Sequence, residues 1–211
     1  MESTALSPYS AADFRWRAAR ETGPFRSDDH GDHLWSPEIA ELIGARPLRE
    51  AAVLVPVVDH PHEATVLLTK RTERLRSHSG QVAFPGGRID PVDATPEDAA
   101  LRETLEEIGL PRSQIEIVGR MPDYLTGSAY RIAPVLGVVR PGFTLSVNHD
   151  EVDDVFEVPL RFLMDPGNHH RHSAIWQEKE RFYYDMSFEP QRRIWGVTAG
   201  ILRMLYNRLY K

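Results

Sequence analysis

The chain has no cysteine, which excludes disulfides, a thiolate nucleophile and thiolate-bound zinc together. No apolar run approaches the roughly 20 residues of a membrane span, and residues 1–20 are too polar for a secretory signal. The final Leu-Tyr-Lys is not a peroxisomal address. Excess positive charge is also missing. A net charge of −6 argues against nonspecific nucleic-acid or anionic-membrane binding, although a local basic patch could still hold a phosphorylated ligand. There is no internal repeat and no low-complexity segment. What remains is the expectation of a cytoplasmic enzyme, and 211 residues with 41% hydrophobic and 27% charged content suit one globular domain.

What is present centres on Gly86 to Leu110, GGRIDPVDATPEDAALRETLEEIGL. Its second half predicts a helix, with Thr95 as N-cap, Pro96 at the first helical position, Asp98 completing a capping-box pattern and Gly109 as the stop. At about 100° per residue, Leu101, Leu105 and Ile108 form the apolar stripe, with Thr104 at its border. Glu103, Glu106 and Glu107 take the opposite side at i, i+3, i+4 spacing. Like charges so placed cost roughly 0.2–0.5 kcal/mol per neighbouring pair, and only Arg102 is spaced to offset them. A solvated acidic face is the simplest account of such a cluster. The Gly-Gly pair and polar loop before the helix favour another, in which a hard divalent cation turns repulsion into coordination.

Along the chain, residues 1–48 read as an N-terminal extension before a domain at 49–211. Short helices are expected over Ala11–Arg20 and Pro37–Ile43, the second capped by Ser36. Asp28, Asp29, His30, Asp32 and His33 between them read as a flexible acidic loop in preference to a metal site. Strands are expected at Ala51–Val58 and Thr65–Lys70, forming a hairpin whose turn carries His60 and His62 as solvated side chains. Further strands are expected at Ile115–Met121, at Tyr130–Val139, where Pro134 suggests an edge or bulge, and just after an acidic loop spanning Asn148–Asp154. One helical turn at Leu160–Met164 follows, then a hairpin pairing Ala174–Gln177 with Arg181–Met186, and an amphipathic helix over Ile194–Tyr210. The pattern supports an α/β or α+β class.

The segment from Gly87 resembles the Nudix box, G-x5-E-x7-R-E-U-x-E-E-x-G-U with U aliphatic. Arg102, Glu103, Glu106, Glu107, Gly109 and Leu110 match its C-terminal half. Asp93 stands at the first Glu position, eight residues instead of seven separate it from Arg102, and Thr104 replaces an aliphatic residue. The resemblance implies an α/β/α sandwich around a mixed sheet, with Glu103, Glu106 and Glu107 holding Mg²⁺ or Mn²⁺. The catalytic set it implies is Arg102, Glu106, Glu107 and Glu151. Arg102 would act structurally, by pairing with a box carboxylate. Glu151 is the choice among Asp150, Glu151, Asp153 and Asp154 for a further carboxylate from a later loop, beside the simpler account of a solvated acidic turn.

Leu67 to Gly87, LLTKRTERLRSHSGQVAFPGG, resembles more closely the signature of the coenzyme A pyrophosphatase branch, LLTxRSxxLRxHxGQVAFPGG, from which only Thr72 departs. That branch commonly carries the GGxxDxxD loop, so Asp90 and Asp93 agree with it. Substrate binding is then expected at Arg71, Arg76, His78, Gln81, Gly86 and Gly87. Arginine's planar fork suits phosphate oxygens, and His78 is either a phosphate donor or a hydrogen-bonded loop residue. The cationic strip is expected to read the coenzyme A end of the substrate and not the metal.

The implied reaction is hydrolysis of the diphosphate of coenzyme A or its thioesters to 4′-phosphopantetheine, or its acyl form, and adenosine 3′,5′-bisphosphate. A Nudix hydrolase of another nucleoside diphosphate derivative and a non-catalytic ligand-sensing module are the alternatives. The partner is a small molecule, with no nucleic acid or membrane, and a homodimer is compatible with it.

Overall fold

The computed structural model describes residues 6–21, 24–26, 28–36, 39–40, 43, 47–74, 78–176 and 178–211. Arg76, Gln177 and most of the helix expected over Pro37–Ile43 lie outside the described residues.

An eight-stranded mixed sheet is built on β1 (Arg49–Val58), whose apolar run is buried because both of its faces are covered. β1 runs parallel to β7 (Tyr130–Val139) over ten paired positions, from Arg49↔Tyr130 to Val58↔Val139. On its other side β1 meets β2 (Thr65–Arg71) only at Val57↔Val66 and Val58↔Thr65 before the two strands part. The gap is filled by β3 (Val82–Ala83), which pairs with Thr69 and Lys70, and β4 (Gly86–Arg88), which pairs with Ala51–Val53. The stretch Val82–Arg88 with its Gly-Gly pair is thereby wedged into the sheet itself. β5 (Ile115–Arg120) and β6 (Tyr124–Leu125) follow one another along the far side of β7.

Side chains alternate across β1. Ala52 and Leu54 pack under α2 (Pro96–Ile108), with Ala99 and Ala100, while Val55 and Val57 face α1 (Ala11–Ala18) and α4 (Val197–Leu205). This is the expected mixed α+β sandwich.

Several expectations need correction. Pro134 lies in a central strand, at the point where β7 changes partner from β5 to β6, and its carbonyl accepts from Met121 N. The strand expected after Asp154 is β8 (Val152–Pro159). It starts earlier because it pairs with β2, so Asp153 and Asp154 leave the loop. Beyond a short α3 (Leu160–Leu163) the hairpin is longer than expected, β9 (His170–Trp176) against β10 (Lys179–Asp185). Ile194 lies outside the terminal helix. Gly196 at φ 62° precedes α4, and the chain ends in a π-helical turn at Tyr206–Tyr210. His60 is held by Glu157 at 2.6 Å instead of being free in solvent.

The loop expected to be flexible is also anchored. Asp32 starts a 3₁₀ turn, and its carboxylate accepts from Tyr124 Oη at 2.9 Å and Gly127 N at 2.8 Å. Ser36 Oγ accepts from Phe182 N, binding the same segment to β10.

Candidate active site

The box helix begins and ends where its sequence says it should. Thr95 Oγ1 accepts the Asp98 N–H at 3.1 Å and donates to Asp98 Oδ2 at 2.8 Å, so both partners of the cap are satisfied. At the other end Gly109 sits at φ 71°, and a Cβ there would lie 2.7 Å from the Ser146 backbone nitrogen. Loop 146–151 thus passes directly against the helix terminus. Its Ser146 and Asn148 N–H groups donate to the Ile108 and Glu107 carbonyls.

Leu101 and Ile108 are buried as expected, but the buried face is shifted around the helix. Leu105 is 51% exposed, while Thr104 and Glu107 are 0% and 2% exposed. Thr104 can be buried because its hydroxyl donates to the Ala100 carbonyl at 2.6 Å. The helix is therefore rotated so that one glutamate goes under the wedge formed by β3 and β4, a placement set by the sheet and not by helical periodicity.

Glu107 consequently has few partners. One carboxylate oxygen accepts the Gly86 N–H at 3.1 Å and the other faces Arg71 Nη1 at 3.3 Å. Burial pushes its pKa up to about 7, against the lowering effects of the Gly86 N–H and the Arg71 charge. Glu103 lies against Gly87, where a Cβ would come 2.5 Å from the carboxylate carbon. Only glycine permits this approach. Burial raises the Glu103 pKa too, opposed mainly by Arg102, and the charge of Glu151 raises both glutamates. Glu151 therefore stands close enough to act on the pair from a different element, and its carbonyl accepts from Thr72 N beside Arg71.

Arg102 joins helix to loop. Its Nε and Nη2 grip Asp93 at 3.0 and 2.8 Å, Nη1 donates to Glu103 at 2.8 Å and Glu106 at 3.1 Å, and Nη2 also reaches the Arg88 carbonyl. Its pKa is raised, and that of Asp93 is lowered, each chiefly by their mutual hydrogen bonds. Asp93 thus occupies the position of the usual glutamate with its side chain committed to Arg102. That gives the arginine a positioning part.

Of the cationic strip, Arg71, Arg74 and His78 are described, and these do not form one wall. Arg71 belongs to the carboxylate cluster, contrary to the expected separation, because β2 ends beside the helix. Arg74 donates to the His149 carbonyl, and exposed His78 is bonded to Gln81 Oε1 at 3.0 Å. Sequence reasoning missed the Gly86 N–H and the Asn148 backbone as supports of Glu107. The pairing of β4 with β1 is the feature that aims the first of these.

Five carboxylates, Asp93, Glu103, Glu106, Glu107 and Glu151, stand here against Arg71 and Arg102. Such an excess of hard oxygen donors suits Mg²⁺ or Mn²⁺. As the side chains stand, however, no three acidic or histidine groups among the described residues converge on a metal position. Glu103 and Glu106 are turned onto Arg102, and Glu107 onto Gly86 and Arg71. The residue types fit a cation, and side-chain rotation must bring them to it.

The NUDIX domain profile matches residues 48–194. The protein named uncharacterized Nudix hydrolase NudL of Escherichia coli (strain K12 / DH10B) is 41% identical over 157 residues, covering 74% of this chain and 81% of its own. Its namesake in Shigella flexneri is 41% identical over 165 residues, covering 77% and 85%. The crystal structure of a MutT/nudix family protein from Enterococcus faecalis aligns over 94% of this chain and 74% of its own, with a TM-score of 0.48 and 15% identity. Matched by the domain profile over more than half its length and by relatives at 41% identity over about three quarters of it, the chain belongs to the Nudix family of hydrolases.

Proposed function

We propose that this Nudix hydrolase cleaves the diphosphate bond of coenzyme A or its thioesters, releasing 4′-phosphopantetheine, or its acyl form, and adenosine 3′,5′-bisphosphate. The observation that carries the choice of substrate is the stretch Leu67–Gly87, LLTKRTERLRSHSGQVAFPGG, which resembles the coenzyme A pyrophosphatase signature and is folded as the β2–β4 wedge against the carboxylate helix. Residues 49–211 carry this activity in our reading, and residues 1–48 precede them as an extension, of which α1 and the Asp32 turn pack on the domain.

Glu103, Glu106 and Glu107 would hold Mg²⁺ or Mn²⁺, which neutralises charge spreading over the phosphoryl oxygens and lowers the pKa of bound water. The chain's own residues do the rest. Before a cation binds, burial holds the Glu107 pKa up to about 7, so a bound cation would supply the charge that this carboxylate lacks. Glu151 adds a carboxylate from the facing loop, and Gly87 lets backbone approach closely. Arg102 fixes loop to helix, so the carboxylates are presented in register. Gln81 and His78 brace one another at the mouth of β3, where they are placed to meet the rest of the substrate.

The test is product analysis after incubation with coenzyme A, NADH, ADP-ribose and a diadenosine polyphosphate, each with Mg²⁺ and Mn²⁺. Adenosine 3′,5′-bisphosphate from coenzyme A, at a kcat/KM well above that for the others, is the expected result. Preferred cleavage of another dinucleotide would replace the substrate, and binding without turnover would indicate a sensor.

A further inference from the structure

Arg71 and Arg102 both contact box carboxylates, yet they are held very differently. Arg102 is saturated, with five hydrogen bonds to Asp93, Glu103, Glu106 and the Arg88 carbonyl. Arg71 makes one side-chain hydrogen bond among the described residues, to Glu107 at 3.3 Å, and its Nε is buried without a partner. That contact is long for a charge-assisted pair, for which about 2.7–2.9 Å is usual. The Arg71 backbone, by contrast, is pinned. Its N–H donates to the Gln81 carbonyl and its carbonyl accepts from Gly80 N, so only the side chain is free to swing. The side chain is 25% exposed, which leaves it a way out toward solvent. On the other side of the contact, Glu107 is 2% exposed and has one oxygen committed to the Gly86 N–H and the other to Arg71. Each oxygen keeps a further lone pair, but at 2% exposure the approach to it runs past these neighbours. The Gly86 N–H is part of the sheet wedge, so the Arg71 side chain is the neighbour able to move aside.

We infer that Arg71 is the exchangeable counter-cation of Glu107: a divalent cation that binds through this carboxylate displaces the Arg71 guanidinium, so cation uptake and Arg71 release are one exchange. The inference rests on the proposed cation site. It assigns to Arg71 a part that the substrate-binding expectation did not contain, that of a competitor which weakens cation binding while neutralising Glu107. The released guanidinium is then a free cation beside the box, available to an anionic substrate.

The experiment measures Mn²⁺ affinity by calorimetry and by electron paramagnetic resonance of free Mn²⁺, at pH 8.5 so that protons do not take the carboxylates. It compares the wild type with Arg71→Ala, Arg71→Gln, Arg71→Lys and Arg74→Ala, together with melting temperatures without metal. Competition predicts that Arg71→Ala and Arg71→Gln bind Mn²⁺ roughly tenfold more tightly, within the span usual for coupled sites, and melt lower without metal. Arg71→Lys should stay near the wild type, because it keeps the charge. Arg74→Ala should also match the wild type, because its guanidinium lies on the His149 carbonyl and not on Glu107. Should Arg71→Ala not fold, Arg71→Gln, which keeps most of the stem, gives the reading. Equal or weaker Mn²⁺ binding in the neutral Arg71 variants overturns the exchange, as does an equal gain in Arg74→Ala, which would reveal a through-space charge effect. Failure of the wild type and all variants to bind Mn²⁺ would remove the cation site and this inference with it.

Discussion

At the scale of single residues, the site is governed by the cost of burying one glutamate. Glu107 has its pKa pushed from 4.5 up to about 7 by burial. As pH rises, the unfolded chain therefore loses this proton before the folded one does. Folding is disfavoured progressively from about pH 4.5 to 7, by roughly 3 kcal/mol in all, and the loss levels off above that. Glu107→Gln keeps the shape without the ionisation. In metal-free urea melts its stability should gain on the wild type across that window. Activity should fall at least a hundredfold with the fold intact, because a neutral amide does not replace the carboxylate as a cation ligand. A rate unchanged at saturating metal would remove Glu107 from the chemistry.

At the scale of elements, the joint between box loop and helix rests on one planar fork. Arg102 grips Asp93 through two nitrogens and still reaches Glu103, Glu106 and the Arg88 carbonyl. Lysine has the charge but not the fork. Arg102→Lys is therefore expected to lose about 1–2 kcal/mol in chemical denaturation and roughly tenfold in kcat/KM through misplaced carboxylates. Denaturation and steady-state kinetics on the same preparation would check both. Full activity with lowered stability would show that the joint is structural only.

At the scale of the whole molecule, the described parts of the segment before the domain are bound into it. Phe14 of α1 is fully buried in the core beside α4, and Asp32 accepts from Tyr124 and Gly127 at the turn between β6 and β7. Arg17 donates to the Leu209 carbonyl, so α1 also closes on the C-terminal turn. Asp32→Ala would leave the Gly127 N–H and the Tyr124 hydroxyl without their acceptor, costing about 2–3 kcal/mol. For a chain of this size that is roughly 4–12 °C in melting temperature, measurable by calorimetry. An unchanged melting temperature would mean that the hold of Asp32 on Tyr124 and Gly127 contributes nothing to the domain's stability. No helix among the described residues is long and apolar enough to cross a membrane.

Local chemistry was legible in the residues alone wherever a side chain acts on its own backbone neighbourhood. The Thr95 cap, Pro96 and the left-handed Gly109 bound the helix in isolation, and the i, i+3, i+4 glutamates follow from its pitch. The continuous apolar run of β1 likewise announced a strand covered on both faces. Leu101 and Ile108 were legible as the buried side, but the shift of that side from Leu105 to Glu107 was not. Helical periodicity puts Leu105 inside, but the sheet wedge puts Glu107 there, because β1 and β2 part and let Gly86 bring its N–H to a carboxylate 21 positions later. The contact of Arg71 with Glu107, 36 positions apart, and the hold of Asp32 on residues more than 90 positions away are likewise products of strand pairing. The sequence by itself determined the helix, its caps, its carboxylates and the family pattern, since these depend on neighbours within a turn or two. Only the tertiary structure decided which carboxylate is desolvated and which arginine faces it, because desolvation depends on what long-range pairing stacks above a residue.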